Sequence, residues 1–173
     1  MDRRIKKTEK AVEDAFINLV IDEGYDSIKI SEIVEIANVN RSTFYLHYQS
    51  LSDILYALEN KEAANFAEIA KIGHSSLYEL LIDFCDQSTK DKRQLQAILS
   101  SRGNKFLAKI EVLFKKDFQR LISNYKKSSS ESYQYIVKFL IDGFFGSVLK
   151  WLENGCKPSK TKFVQTIIDF YFK

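Results

Sequence analysis

The scarcity of chain-breaking residues is the feature that most constrains how this sequence can fold. Proline occurs once, at Pro158, and glycine occurs six times in 173 residues. Hairpins and sandwiches need these residues at closely spaced turns, whereas long helices joined by short loops do not. Apolar residues make up 45% of the chain, which is enough to bury a core. The sequence therefore predicts an all-α fold.

The N-terminus, the cysteines and the hydropathy argue against several classes of protein. No run approaches the ~18 consecutive apolar residues of a membrane span, and the charged start MDRRIKKTEK lacks the apolar region of a secretory signal. Cys85 and Cys156 have no CxxC spacing and no neighbouring His pair, so neither a zinc site nor a disulfide framework is expected. We expect a cytoplasmic protein with no membrane partner, metal or cofactor.

Apolar periodicity predicts three helices in the first fifty residues. The first runs from about Ile5 to Glu23 and ends at Gly24, a residue suited to a left-handed C-cap. Two short helices follow, at about 30–36 and about 40–47. Asn38 lies between them and tolerates the left-handed conformation of a tight turn.

A capping box at Ser50–Asp53 predicts the start of a long fourth helix that runs to about Ile72. Further helices are predicted at about 76–88, 92–101, 104–125, 131–154 and 160–172. This pattern suggests a first domain over residues 1–50 and a second over residues 51–173.

Charge is unevenly distributed although the net charge is only +3. Residues 1–10 carry five Lys/Arg against two acids, whereas residues 11–49 carry two against seven. Residues 90–127 carry eleven against three, a surplus of eight. That basic run is either a solvated face or a surface for an anionic effector or partner protein. Charge alone therefore does not identify the N-terminal half as a DNA-binding region.

The two short helices and the turn between them have the arrangement of a helix-turn-helix, whose second helix enters the DNA major groove. Such a unit needs an apolar inner side and an outer side that can form hydrogen bonds. Arginine binds guanine bidentately, and serine and threonine let the backbone approach base edges. The inner side consists of Ile33, Ala37, Val39 and Phe44, and the outer side of Asn40, Arg41, Ser42, Thr43, Tyr45 and His47.

The stretch SEIVEIANVNRSTFYLHYQSLSDIL, residues 31–55, resembles the signature of the TetR family of transcriptional regulators. In that family the pattern IA..AGV..GTLY.HF..K..L spans the second to fourth helices. The resemblance implies a TetR-like fold, with a three-helix DNA-binding domain followed by a helical dimerisation and effector-binding domain. The partners it implies are double-stranded DNA, a second copy of the chain and a small-molecule effector.

The resemblance also implies roles for individual residues. Bases are contacted by Arg41, Ser42 and Thr43, and phosphates by Tyr45, His47 and Tyr48. Lys29, Ser31 and Ser50 complete the predicted DNA-contacting set. For His47, packing within the domain is the alternative to phosphate contact. The start of the fourth helix is expected to offer backbone N–H groups to a phosphate.

Three positions depart from the family pattern. Asn38 replaces the usual turn glycine, and Lys29 stands where a hydroxyl cap is usual, which leaves the start of the second helix open. The lysine usual near the start of the fourth helix is missing, since Leu51 and Ser52 hold those places. The basic residues of the N-terminus either replace that contact by reaching the DNA or are merely solvated: Arg3, Arg4, Lys6 and Lys7.

The segment FLIDGFFGSVLKWLENGCK, residues 139–157, resembles the C-terminal domain of a short TetR subgroup common in Gram-positive bacteria. This helix and the last one carry more apolar side chains than one stripe can bury, which predicts an isologous four-helix dimer interface. The alternative is a monomeric core. The predicted interface residues are Phe144, Phe145, Val148, Trp151, Leu152, Phe163, Ile167, Ile168 and Tyr171.

Aromatic residues of the second domain suggest a ligand cavity between helices, of the kind the family often has, although an ordinary core is the alternative. They are Tyr78, Phe84, Phe106, Phe114 and Phe118.

No catalytic motif accompanies these features, so an enzyme is not expected. A second alternative is a TetR-like protein that acts through another protein, which the missing lysine and the acidic 11–49 segment favour. The polar outer side Arg41–Thr43 argues against it. The sequence thus predicts a sequence-specific repressor that binds a palindromic operator as a homodimer.

Overall fold

The computed structural model describes residues 3–123 and 130–172, and all regular elements within these ranges are helices, as predicted. The fold is all-α. The helices are α1 (Arg3–Glu23), α2 (Ile30–Ile36), α3 (Arg41–His47), α4 (Leu51–Ala70), α5 (Leu77–Lys90), α6 (Lys92–Ser100), α7 (Phe106–Ser123), α8 (Ser130–Glu153) and α9 (Lys160–Phe172).

Both residues that were predicted to form turns adopt the left-handed backbone conformation expected of them. Gly24 ends α1 with φ of 83°, and its N–H donates to the Val20 carbonyl at 3.0 Å. Asn38 has φ of 51° between α2 and α3. The N-terminus differs from the prediction, because α1 already begins at Arg3. The basic residues there therefore lie in the first turns of α1. The predicted end of the seventh helix at Tyr125 lies outside the described residues.

The chain divides into two compact units that are not contiguous in sequence. The first contains the described residues up to Lys61 together with Arg93–Lys105, and the second contains Glu62–Lys92 and the described residues from Phe106 onward. The predicted division after residue 50 differs from this one. The first half of α4 and most of α6 belong with the N-terminal helices.

The first unit is built on apolar side chains of α1–α4 that have almost no exposed surface: Val12, Phe16, Ile33, Phe44, Ile54 and Leu58. Segment 93–105 joins this unit through polar contacts. Arg93 Nη2 donates to Asn18 Oδ1 at 2.8 Å, and the Lys105 backbone N–H donates to the buried Glu59 carboxylate at 2.6 Å. The second contact gives the buried Glu59 carboxyl group a donor, as a buried polar group requires.

A cluster of phenylalanine rings forms the core of the second unit. Phe84 is its centre, with ring centroids 4.6 Å from Phe114, 5.3 Å from Phe66 and 5.6 Å from Phe145. Most of these rings meet edge to face, the geometry that the aromatic quadrupole favours. Phe84, Phe106 and Phe114 are fully buried in ring contacts, the arrangement of the ordinary core that was the alternative, and a ligand cavity at these residues stays a prediction. Tyr78 is half-buried.

The predicted dimer interface also needs correction. Six of its members lie inside the protomer, with at most a few per cent of each side chain exposed, so they are not available to a second copy: Phe144, Phe145, Val148, Trp151, Leu152 and Ile168. The Trp151 ring stacks on Phe163 at 5.2 Å, and its indole N–H donates to the Pro158 carbonyl at 2.7 Å. Phe163 and Ile167 keep partial exposure. The Tyr171 side chain is not among those that the structure describes.

Burial raises the pKa of the Cys85 thiol to about 12, so this cysteine is an unreactive core residue at neutral pH. Among the helices that the structure describes, none has the length and apolar character needed to cross a bilayer.

Candidate nucleic-acid interface

The turn between α2 and α3 is held by backbone hydrogen bonds. The Val39 N–H donates to the Val34 carbonyl at 3.0 Å, and the Phe44 N–H donates to the Asn40 carbonyl at 2.9 Å. Asn40 is the N-cap residue of α3 through its extended backbone, without a side-chain hydrogen bond. Asn38 therefore replaces the family's glycine without loss of the turn.

Helix α2 begins at Ile30 as predicted, although Lys29 precedes it in the place of a hydroxyl cap. A lysine side chain has no acceptor and cannot cap a helix. The Lys29 backbone N–H instead donates to the Glu32 carboxylate at 2.7 Å, which is half of a capping box. Lys29 and Ser31 are both exposed, so their side chains are accessible to a partner.

Helix α3 has one buried side and one exposed side. Phe44 is fully buried and packs edge to face against Tyr45, with ring centroids 5.4 Å apart. Arg41, Ser42 and Tyr45 are exposed, and Thr43 is half-buried. The predicted base-reading residues therefore lie on an accessible surface of a helix that Phe44 anchors.

The Tyr48 side chain is directed into the first unit, although it was predicted to contact a phosphate. Only 7% of this residue is exposed, and its hydroxyl donates to the Glu13 carboxylate on α1 at 3.2 Å. Burial first, and then the negative Glu13, raise the pKa of Tyr48. The prediction of a phosphate contact is wrong for this residue, because its hydroxyl is committed inside the unit.

His47 is also turned towards α1. Its Nδ1 lies 3.3 Å from Glu9 Oε1, and only 13% of its side chain is exposed. A carboxylate beside the ring occupies the place in which a phosphate would contact it. The structure thus favours the packing interpretation of His47 over phosphate contact.

Glu13 is the centre of this polar cluster under α3. Lys61 Nζ lies 4.0 Å from Glu13 Oε2 and donates to Gln94 Oε1 at 3.1 Å. Burial raises the pKa of Glu13, and Lys61 and the Tyr48 hydroxyl oppose that shift. Glu13, one of the acidic residues of the 11–49 segment, is therefore directed inward at the end of α3. Its carboxylate lies away from the accessible side of that helix.

The start of α4 is closed by its own capping box. Asp53 Oδ2 accepts from the backbone N–H groups of Gln49 at 2.8 Å and Ser50 at 3.0 Å, and the Asp53 N–H donates to Ser50 Oγ at 3.3 Å. Two backbone donors near the predicted phosphate site are thus already occupied. The Ser52 hydroxyl lies 3.3 Å from the Tyr25 hydroxyl.

Sequence reasoning missed three contributors to this region. Glu9 and Glu13 position the end of α3, and Leu46 is exposed on its outer side. A signal for Leu46 was present, because it stands two residues after the predicted core residue Phe44 and so on the opposite side of the helix.

Two family models match the chain. The model for bacterial regulatory proteins of the tetR family matches residues 14–58, which contain α2 and α3. A second model, for a transcriptional regulator C-terminal region, matches residues 75–173, more than half of the chain. The chain belongs to the TetR family. It is a TetR-family transcriptional regulator. The two matches confirm the family that the resemblance of residues 31–55 indicated.

Solved structures share the fold of this TetR-family regulator. A TetR transcriptional regulator from Streptococcus agalactiae superposes with a TM-score of 0.72 and 25% identity, over 99% of this chain and 97% of that one. The regulator FadR from Bacillus subtilis, solved with stearoyl-CoA, gives a TM-score of 0.65 and 18% identity, over 95% of this chain and 97% of that one. The second likeness shows the fold alone.

Curated relatives match over shorter stretches. The HTH-type transcriptional regulator YxbF of Bacillus subtilis is 30% identical over 76 residues, which is 43% of this chain and 20% of that protein. YvkB of the same organism is 27% identical over 78 residues, 45% of this chain and 41% of that protein. The chain therefore spans less than half the length of these relatives. Both relatives are named as transcriptional regulators, in agreement with the predicted class of protein.

Proposed function

We propose that this TetR-family regulator is a repressor that binds a palindromic operator as a homodimer. The observation that carries the proposal is the exposed polar side of α3, where Arg41, Ser42 and Tyr45 are accessible while Phe44 fixes the helix from behind. A major-groove helix needs this combination of a rigid apolar back and a polar front. A repressor of this kind acts at the chromosome, so we infer a cytoplasmic location.

The exposed residues divide into base and phosphate contacts by their chemistry. Arg41 takes guanine, and Ser42 and Thr43 lie close enough to the backbone to bring α3 near the bases. Tyr45 is the phosphate donor on α3, and Lys29 and Ser31 are exposed at the start of α2 for the same purpose. His47 and Tyr48 act indirectly by holding α3 on α1.

Dimerisation is proposed through the outward side of α8 and α9. Tyr135, Phe139 and Phe170 are exposed there, and Gly143 and Gly146 continue the stripe on α8. Apart from its chain neighbours and the nearby backbone of α8 itself, a Cβ atom added at either glycine would meet no atom of the protomer within 4 Å. A second copy could thus approach this helix closely, and a two-fold dimer would present two copies of α3 to a palindrome.

A small-molecule effector is proposed to bind within the second unit. An apolar cavity there, bordered by Phe118, Phe144 and Ile167, measures about 20 Å³, space for about one water molecule. A polar cleft lined by Asn65, Gln87 and Asp91 among others measures about 380 Å³, within the usual range for ligand sites. The apolar cavity has no room for an acyl chain such as that bound by the FadR neighbour, whereas the cleft has room for a small polar effector.

DNA binding can be tested by fluorescence anisotropy with the duplex upstream of the coding gene, at low salt where phosphate contacts are strongest. Arg41→Ala is expected to weaken binding by about 5- to 150-fold and to relax base preference at one position. Tyr45→Ala is expected to weaken binding with little change in preference.

Lys115→Ala is the matched control, because Lys115 is an exposed cation on α7. Its loss changes the net charge by the same amount as the loss of Arg41. Equal affinity of the wild type, Arg41→Ala and Tyr45→Ala would show that α3 is not the reading helix. No binding at low salt would favour a regulator that acts through another protein.

The dimer can be tested by sedimentation velocity. Phe139→Asp, at a residue 57% exposed on α8, is expected to give monomers with unchanged helical content. Val112→Asp places the same charge on α7 at a residue 79% exposed and should leave the dimer intact. A Phe139→Asp variant that sediments as the wild type would exclude this face. Phe145→Asp is unsuitable because Phe145 is core.

A further inference from the structure

Leu46 is an apolar residue on the outward side of α3, near the C-terminal end of that helix. It is 82% exposed, the largest exposed fraction among the large apolar side chains that the structure describes. The other exposed residues of α3 are Arg41, Ser42 and Tyr45, each of which carries a hydrogen-bonding group. Leu46 therefore presents an apolar surface, whereas the other exposed residues of α3 present hydrogen-bonding groups.

The position of Leu46 around α3 follows from that of Phe44. Successive residues of a helix are about 100° apart, so a residue two positions from Phe44 lies about 160° away on the opposite side. Ser42 and Leu46 are the two residues at that spacing, whereas Tyr45 is about 100° from Phe44. Since Phe44 is fully buried, Ser42 and Leu46 mark the centre of the outward side.

Contacts of neighbouring residues hold the backbone around Leu46. The flanking Tyr48 is fixed to Glu13, and the His47 ring lies against Glu9. The Tyr45 carbonyl accepts from Gln49 Nε2 at 2.7 Å. The small Ser42, one turn earlier on the same line, leaves space beside the leucine. With α3 placed in the major groove as proposed above, an apolar side chain on the outward side of the helix faces the base edges.

The major groove presents one apolar group, the C5-methyl of thymine, and aliphatic side chains recognise it by contact. We propose that Leu46 selects a thymine in each half-site by covering this methyl group. The inference rests on the proposed DNA-binding function and adds to it a base contact that the hydrogen-bonding groups of Arg41, Ser42 and Tyr45 do not make.

The test uses a duplex selected by the wild-type protein from a random library, in which each thymine is replaced in turn by deoxyuridine. This exchange removes the methyl group and leaves the hydrogen-bonding edge unchanged. Burial of one methyl group corresponds to about a fourfold change in affinity. We expect one thymine per half-site at which deoxyuridine weakens wild-type binding about fourfold, and about fifteenfold when both half-sites are changed.

The same duplexes are then measured with Leu46→Ala and Leu46→Met. Leu46→Ala should bind the thymine and deoxyuridine duplexes equally at that position, and Leu46→Met should restore the preference. Lys115→Ala, at an exposed residue of α7, keeps the leucine and should retain the thymine preference. Thermal denaturation should show no change for Leu46→Ala, because the side chain is exposed.

Three outcomes would overturn the inference. A wild-type protein that binds its selected duplex but shows no deoxyuridine effect at any thymine would refute it and leave the proposed function standing. The same holds if Leu46→Ala keeps the full deoxyuridine effect. Failure of the wild type to select any duplex would instead remove the proposed function, and the role of Leu46 with it.

Discussion

Replacement of Tyr48 by phenylalanine separates the interior role that the structure gives this residue from the phosphate contact that its sequence position suggests. The substitution removes one oxygen atom and keeps the ring, which lies 6.1 Å from the Phe44 ring between centroids. The lost interaction is the 3.2 Å hydrogen bond from the hydroxyl to the Glu13 carboxylate. The ring packing should survive, so the measured effect reports on the hydroxyl alone.

The size of the effect can be worked from the site. A hydrogen bond to a charged group contributes about 1.5–3 kcal/mol, and the lower end applies here because 18% of the Glu13 side chain reaches solvent. We expect Tyr48→Phe to lower the free energy of unfolding by about 1.5 kcal/mol. For a chain of this length, that corresponds to a fall in Tm of about 3–6 °C. DNA affinity should change by less than about twofold, since the hydroxyl is not at the surface.

The matched control is Tyr45→Phe, the same chemical change three residues earlier on an exposed ring. Here the expectations reverse: Tm should stay constant, and operator affinity should fall about fivefold per half-site for one lost hydrogen bond. Calorimetry and fluorescence anisotropy on both variants give the comparison. A Tyr48→Phe protein that melts like the wild type and binds DNA several-fold more weakly would refute the interior assignment.

Three further predictions concern stability. Asp53→Ala removes the acceptor of two backbone N–H groups at the start of α4 and should cost about 0.5–2 kcal/mol by urea titration, with Ser52→Ala as a near-neutral control. Phe84→Ala should cost about 3–5 kcal/mol because the ring lies at the centre of the aromatic core; a loss under 1 kcal/mol would contradict that packing. Burial raises the pKa of Glu13 above 4.5, so its contribution to stability is complete below pH 4.5 and is lost as pH rises through the raised pKa. Glu13→Gln should therefore gain stability relative to the wild type from pH 4.5 upward, and parallel pH profiles would rule this out.

The local pattern of the first fifty residues predicted much of the fold. Apolar spacing and the residues Gly24 and Asn38 located the ends of the first helices, because each of these signals acts within a few residues of itself. The accessible side of α3 followed from the same periodicity. The helix ends and the accessible side of α3 depend on residues that are close together in the chain, so the sequence alone predicts them.

The directions of side chains that face other helices could not be predicted in the same way. Tyr48 and His47 carry groups suited to phosphates, and their neighbours Glu13 and Glu9 are 35 and 38 residues away in the chain. Phe145 likewise reads as surplus apolar surface until Phe66, Phe84 and Phe106 surround it. Which apolar face is inside depends on partners that are distant in sequence, and periodicity alone does not identify them.

The passage of segment 93–105 back into the N-terminal unit constrains how such regulators can be recombined. A fragment that stops after Lys61 would leave the buried Glu59 without the Lys105 N–H and Asn18 without Arg93. A chimera made by one crossover near residue 50 or 61 would join α6 of one parent to the reading helices of another. Exchange of operator specificity between relatives therefore calls for two crossovers, or for grafting only the surface of α3.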